Sequence, residues 1–504
     1  MQREKFDYLN YIDYFFAKTL LKKEEGEDFL ALAYLFFISR CGHLCLRVDF
    51  LNEKIFPYFG SLEEKKIIKG ILNIPKNIIS KNLKDVEKKP ISFFKNCFYL
   101  QKNFIFETKI IENLERLLKD NRDIFLEKKE ISFTNPLKKE QQEAIKHIIK
   151  NRISVILGEP GSGKTYLAVN FISAILKILK EYKVIITAPT GKAVSDFYNK
   201  IEDSSIEAYT LHYLLNKDFI DADLIVIDEA SMVDARIMSN FLKRIGLKTK
   251  LIFLGDNDQL PPVESKGFLN VLSSLNISYF LKSSERFENE KIQKMKEEVK
   301  NKDAKKFFDI LKRDNNFFSF QEDILEKKIF EYADKISSSL KKDPNNLSRF
   351  IIISAMRKGY FGSEDINLRI LEYLKDNELY IPIIIDKNDY HLNLFNGTCG
   401  IIKKEEKRVY FQNRKELPLF MLSNFSYAYA ISVHKSQGGE FDNVLLILQD
   451  NSYFFGKSLL YTAITRTKKK IEIISNEETI EKMLKNDFIL ENNIFERSPI
   501  LKNL

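Results

Sequence analysis

The 504-residue sequence predicts an α/β protein, with two domains built on parallel sheets flanked by helices, preceded by a mostly helical module. Three observations carry this. After Pro136, short apolar runs bounded by Gly, Pro and Asp alternate with helical stretches, in two separate series. One of these runs leads directly into a glycine-rich GxxxxGK[ST] loop and then a helix. Before about residue 125, apolar residues recur at helical spacing and no glycine-rich loop occurs.

Taken in order, Phe29, Leu30, Leu32, Ala33, Leu35, Phe36 and Phe37 would cover most of a buried helix. Ile110, Ile111, Leu114, Leu117 and Leu118 recur at helical spacing between charged residues. Residues 1–125 therefore read as a helical packing module. Ile153–Leu157, Val184–Thr187, Leu224–Ile227 and Leu251–Leu254 read as buried parallel strands of a first domain, residues 126–285. Ile351–Ser354, Val444–Leu448 and Ile471–Ile474 read the same way for a second, residues 286–504. Within it, residues 301–345 are Lys/Asp-rich and helical in pattern, which predicts a solvated face. Residues 383–425 read as short strands and turns, a small β insertion.

Composition removes other classes. Apolar residues make up 44% and charged residues 30%, as in a soluble globular protein. Eighty Lys+Arg against 71 Asp+Glu leave +9, which permits a nucleic-acid partner without requiring one. Cys41, Cys45, Cys97 and Cys399 are too few and too scattered for a disulfide scaffold or a four-ligand zinc site. Cys41 and Cys45 flank His43, but no second Cys/His pair has metal-ligand spacing. The longest apolar run, Phe29–Ile38, is ten residues, where a membrane span needs roughly 20. With Glu4 and Asp7 near the start and no apolar signal region, the expected compartment is the cytoplasm.

The strongest chemical signal is Gly158-Glu159-Pro160-Gly161-Ser162-Gly163-Lys164-Thr165, between the strand Ile153–Leu157 and the helical Tyr166–Leu179. Such a loop turns backbone N–H groups inward to cradle phosphate at a helix N-terminus. Lys164 is then expected to reach the β- and γ-phosphates of ATP, and the Thr165 hydroxyl to ligate Mg²⁺. Sixty-three residues after Thr165, an apolar strand ends in Asp228-Glu229. Alone this is an ordinary strand end; beside the P-loop it fits a carboxylate that holds Mg²⁺ (Asp228) and one that polarises the attacking water (Glu229). A third strand leads into Gly255-Asp256-Asn257-Asp258-Gln259, where Gln259 is either a γ-phosphate sensor or part of a polar turn. These residues predict an NTP-hydrolysing domain with a second α/β domain behind it.

In order, these pieces and those that follow resemble the motif series of superfamily 1 DNA helicases. Gln141 in LKKEQQEAI is similar to the adenine-reading glutamine upstream of the P-loop, and Pro189–Ala193 to a strand-end loop that touches DNA. DEAS at Asp228–Ser231 and GDNDQLPPV at Gly255–Val263 are close matches. Glu285-Arg286-Phe287 resembles the motif whose arginine reaches the γ-phosphate from the domain border. SVHKSQGGEF from Ser432 resembles one that contacts DNA and nucleotide, and YTAITR, ending at Arg466, one that supplies an arginine finger. TLHYLL at Thr210–Leu215, LFNG at Leu394–Gly397, CGHLCL at Cys41–Leu46 and FYLQ at Phe98–Gln101 resemble stretches of the RecD family, the alpha chains of RecBCD (exonuclease V) complexes. The resemblance spans essentially the whole chain.

That resemblance implies two RecA-like motor domains closing on ATP, with a small SH3-like β insertion in the second. It implies a 5′→3′ DNA helicase subunit acting on single-stranded and end-containing duplex DNA, beside RecB-like and RecC-like subunits, the N-terminal domain docking on the RecC-like one. By position, Lys164, Asp228, Glu229, Gln259, Arg286 and Arg466 would be catalytic, and Thr190, Ser432, His434 and Lys435 would contact DNA. His212 and His434 also fit hydrogen-bonded structural histidines. Only seven residues separate Leu215 from Asp223, where the family can carry a strand-separating hairpin. A stand-alone helicase of the longer RecD-like group, or a subunit that binds ATP without translocating, are the alternatives.

Overall fold

A computed structural model describes residues 9–502 apart from 59–63, 82, 120, 122, 128, 130, 134–135, 202–204, 263–266, 283–288, 376–378, 390, 393, 412–415 and 487–489. Two all-parallel sheets organise the molecule. The first runs, edge to edge, Ser278–Leu281, Ile153–Gly158, Lys250–Gly255, Leu224–Ile227, Val184–Ala188 and Glu207–Thr210. The second runs Phe317–Phe318, Thr467–Ile474, Phe441–Ile447, Phe350–Ser354 and Ala430–Ser432.

The apolar runs become strands because both faces of each sheet are covered. Successive side chains point to opposite faces, so Ile153, Val155 and Leu157 join one core while Ile156 joins another. Ile225 and Ile227 oppose Leu224 and Val226 in the same way. In the second sheet Ile351 and Ile353 face one core and Ile352 the other. Covered on both sides, such strands carry no polar alternation.

A five-stranded antiparallel sheet, from Tyr380–Ile385 through Cys399–Lys403, Arg408–Phe411 and Glu416–Pro418, with Phe425–Tyr427 on the other edge, is inserted before Ala430–Ser432. The expectation of a solvated helical face over 301–345 is corrected in part. The helix Glu322–Lys342 buries Leu325, Ile329, Tyr332, Ala333, Ile336 and Leu340 against the second sheet. Its charged residues cover only the outer side of an amphipathic helix.

The N-terminal region holds the expected helices, Glu27–Arg40 and Gln101–Leu118. It also holds a sheet that helical spacing did not predict, ordered Lys54–Phe56, Leu46–Asp49, Cys97–Leu100, Ile91–Phe94 and Ile79–Ser80. Strands of two to four residues are too short to show a period. The helix Gln101–Leu118 buries Ile110, Ile111, Leu114, Leu117 and Leu118 in the same core as the first parallel sheet. Arg116 donates to the Leu242 and Ile245 carbonyls at 2.9 and 3.0 Å. Leu490, Ile494 and Leu501 join that core too. The chain's end, expected with the second domain (286–504), therefore packs back on the first domain and the N-terminal region, because its apolar residues meet the core there.

Candidate active site

In an all-parallel sheet every strand ends at the same edge, and ligands gather there. At this edge the strand Ile153–Gly158 enters the glycine-rich loop and the helix Lys164–Ile178. Gly161 and Gly163 have φ of +82° and +87°, a left-handed backbone that side chains disfavour. The loop is lined from behind by Gln141, whose Nε2 would lie 2.9 Å from a Cβ on Gly163. Gln141 is held there because its Oε1 caps the helix Lys139–Lys150, accepting from the Lys138 N–H at 3.1 Å. Gly158 is crowded by Ser162, whose Oγ would lie 2.5 Å from a Cβ there.

Lys164 Nζ donates to the carbonyls of Gly158 (2.6 Å) and Glu159 (2.9 Å). Burial pushes its pKa down, while Asp256, Glu229 and Asp228 oppose the shift and Arg466 adds to it. Five charged side chains from four segments thus share one electrostatic site. Asp228, at the end of Leu224–Ile227, stands 3.5 Å from the Thr165 hydroxyl. Burial, then the Glu229 carboxylate, push its pKa up to about 6. Glu229 itself adopts φ +50°, the left-handed region, which turns the chain sharply after Asp228.

The third strand, Lys250–Gly255, delivers Asp256 and Gln259, both buried. The Gln259 Oε1 has no hydrogen-bond partner among the described residues. The turn is fastened to the second domain. The Leu260 N–H donates to Thr462 Oγ1 (2.7 Å), Gln437 Nε2 to the Leu260 carbonyl (3.0 Å), and the Tyr461 hydroxyl to Asp256 (3.0 Å). Arg466 follows the helix Gly456–Thr465. It is 3% exposed, donates to the Gly439 carbonyl at 3.3 Å, and leaves its Nε without a partner among the described residues. Pro160 belongs to the same loop; Arg286 lies outside the described residues.

Of the residues expected to touch DNA, Ser432 ends a strand and Thr190 lies just beyond one, and both cap helices. Thr190 Oγ1 accepts from the Ala193 N–H (3.3 Å) and Ser432 Oγ from the Lys435 N–H (3.4 Å). The β insertion reaches the first of these. Phe395 packs so tightly on Gly191 that a Cβ there would lie 2.3 Å from the Phe395 Cβ and 2.7 Å from its ring. Lys192 also lies against the insertion, its Cβ 3.4 Å from where a Cβ on Gly397 would stand. Lys435 is ion-paired to Asp386. Burial pushes the Asp386 carboxyl up, but Lys435 and Ser426 hold it below its ordinary value. His434 is half-buried, and burial pushes its pKa down to about 4. The His212 side chain is exposed.

The sequence alone does not single out Asp256, Tyr461, Thr462, Gln437, Lys296 or Lys300. The first four lie inside motifs whose spacing marks a segment rather than a residue. The two lysines sit in a helix, Glu290–Asn301, whose charge pattern reads as surface.

Comparison with known proteins places these pieces among relatives. Residues 136–321 match an AAA domain model, and residues 427–474 a UvrD-like helicase C-terminal domain model. The chain is 30% identical to the RecBCD enzyme subunit RecD of Buchnera aphidicola subsp. Schizaphis graminum, over 94% of this chain and 97% of that one. It is 24% identical to the RecD subunit of Haemophilus influenzae, over 92% and 94%. It is 26% identical to the ATP-dependent RecD2 DNA helicase of Deinococcus radiodurans, over 66% of this chain and 48% of that one. Among solved structures, Bacteroides Pif1 bound to ssDNA aligns with 73% of this chain and 98% of its own, at 17% identity and a TM-score of 0.46.

Proposed function

Because the chain belongs to the RecD family of RecBCD enzyme subunits, we propose that it is the ATP-driven 5′→3′ DNA helicase subunit of a RecBCD-type complex that processes double-strand ends. The observation that carries this reading is the geometry at the glycine-rich loop, where Lys164 lies on the loop carbonyls, Thr165 stands 3.5 Å from Asp228, and Asp256 is held by Tyr461 on the second-domain helix that leads to Arg466.

ATP would lie with its adenine toward Gln141 and its phosphates on the N–H groups of residues 158–165. Thr165 and Asp228 are a hydroxyl and a carboxylate facing each other across the loop, a donor pair that fits Mg²⁺. Bound there, the ion would neutralise phosphate charge. Lys164 leaves its carbonyl partners for the phosphates, and Glu229 orients the attacking water. Gln259, with its unpartnered amide oxygen, senses the γ-phosphate. Arg466 approaches from the second domain, so hydrolysis requires closure, with Arg286 assigned a like role by the resemblance alone; such an arginine is worth about three to five powers of ten in rate. Closure and reopening then shift single-stranded DNA across Thr190 and Ser432, by contacts that are mostly to phosphates and so salt-sensitive. Lys435 and the neutral His434 line the same path. The β insertion serves as the SH3-like element of that path, and the N-terminal region docks on a RecC-like subunit beside a RecB-like one.

The short segment between Leu215 and Asp223 supports strand separation by the partners rather than by this chain. Lys164→Gln in the complex is expected to abolish the DNA-stimulated ATP hydrolysis of this subunit; unchanged 5′→3′ translocation by the assembled complex would sink the motor reading. Co-purification with RecB-like and RecC-like chains, then unwinding of 5′- and 3′-tailed duplexes with and without them, tests partners and polarity together. Robust unwinding of blunt duplexes by the chain alone contradicts the assignment of strand separation to the partners.

A further inference from the structure

Beside the P-loop lies an ion cluster that the chemistry above does not use. The Glu159 carboxylate pairs with the ammoniums of Lys296 and Lys300, the latter at 2.6 Å. Lys300 also reaches Asp258 at 3.0 Å, and its ammonium lies 5.2 Å from the centre of the Tyr461 ring. Lys296 and Lys300 are four residues apart on the helix Glu290–Asn301, so both ammoniums leave one face. That helix packs against Gly456–Thr465, which carries Tyr461 and leads to Arg466. Lys296 is 1% exposed, and an ammonium buried that deeply requires a carboxylate partner. Its carboxylate comes from the other motor domain's phosphate loop.

Glu159 is placed to couple two events. Its main-chain carbonyl accepts from Lys164, while its side chain holds the second-domain lysines. Burial pushes its carboxyl up, yet the two lysines hold it below the ordinary value.

We propose that Glu159, Lys296 and Lys300 form a nucleotide-responsive ionic bolt between the motor domains, in which the Glu159 carboxylate and the nucleotide's outermost phosphate compete for the two ammoniums. This rests on the nucleotide-site reading of the loop. A polyphosphate entering the loop brings several negative charges next to Glu159, in a partly buried place where charges interact strongly. It repels the carboxylate and attracts the lysines. Asp258 and the Tyr461 ring keep Lys300 within reach as Glu159 lets go. Because Tyr461 also holds Asp256, the exchange alters the seating of the helix that ends at Arg466. Glu159 acts through the lysines and is a positioning residue.

The test measures binding of fluorescent ADP to the full chain, with ATPase rates in parallel. Glu159→Gln removes the competing charge and is expected to tighten ADP about threefold, the size of a partly exposed charge interaction, and to slow its release. The gain should shrink as salt rises. In a Lys296→Met, Lys300→Met background the same change should tighten ADP by clearly less, because only the direct repulsion between carboxylate and phosphate is left to relieve. Should Glu159→Gln misfold for want of a counterion to Lys296, Lys296→Met is compared with Glu159→Gln, Lys296→Met. Neither of these leaves Lys296 unpaired, and the double variant should bind ADP about threefold tighter through Lys300. Equal or weaker ADP binding in the folded variants overturns the bolt. Failure of the unsubstituted chain to bind ADP overturns the nucleotide site instead.

Discussion

His434 lies just after the strand Ala430–Ser432, in the stretch proposed above to contact DNA, and burial pushes its imidazole down to about 4. At neutral pH it is uncharged, so in the proposed role it would offer DNA a hydrogen bond and no charge. The ordinary value is 6.5, so between pH 6.5 and about 4 the unfolded chain binds a proton that the folded chain refuses. Stability therefore rises with pH across that window and is lost as pH falls through it. His434→Gln is expected to lessen the acid-side loss of melting temperature between pH 6.5 and 4, followed by thermal denaturation at each pH. Equal loss in both proteins contradicts the assignment. Lys164, Thr165, Asp228 and Glu229 were legible because phosphate chemistry demands those residue types at that spacing. The partners of Lys435 and Glu159 were not, because Asp386 and Lys296 are 49 and 137 residues away and only folding brings them close.

Thr190 shows what an element adds to a residue. Its hydroxyl oxygen accepts from Ala193 and caps the helix Gly191–Tyr198. Thr190→Ala is expected to cost about 1 kcal/mol of stability by loss of that cap, against a smaller loss for Thr190→Ser, measured by denaturant unfolding. An equal loss for both variants means the methyl packing matters rather than the oxygen. The motor strands were legible because burial on both faces makes them continuous apolar runs. The N-terminal sheet was not. Cys97–Leu100 is buried at all four positions, and a run that short is compatible with either a strand or a turn of helix.

Across the whole molecule, the last residues bind the two ends of the chain together. Arg497 pairs with Glu107 at 2.6 Å, with 6% and 0% of their side chains exposed, and the Asn493 N–H donates to the same carboxylate at 2.7 Å. Leu44 and Arg47 are bonded to Glu491 nearby. Arg497→Met leaves Glu107 buried without its cation, which is expected to cost about 3–5 kcal/mol. Denaturant unfolding and protease susceptibility of residues 1–125 would read the loss; Glu107→Gln with Arg497→Met should recover much of it.

The sequence by itself determined the class of fold, the strand-loop-helix that takes phosphate and the order of the motor motifs. Those depend on local period and local chemistry, which survive without tertiary contacts. The tertiary structure alone decided that Tyr461 reaches Asp256 across the domain border, that Phe395 seats the β insertion on Gly191, and that the C-terminal segment returns to the first core. It also decided that Lys296, on a helix patterned like surface, is buried against Glu159. Side chains from distant segments meet only when closing long loops is offset by burial of a shared apolar core, and no spacing rule records which loops close.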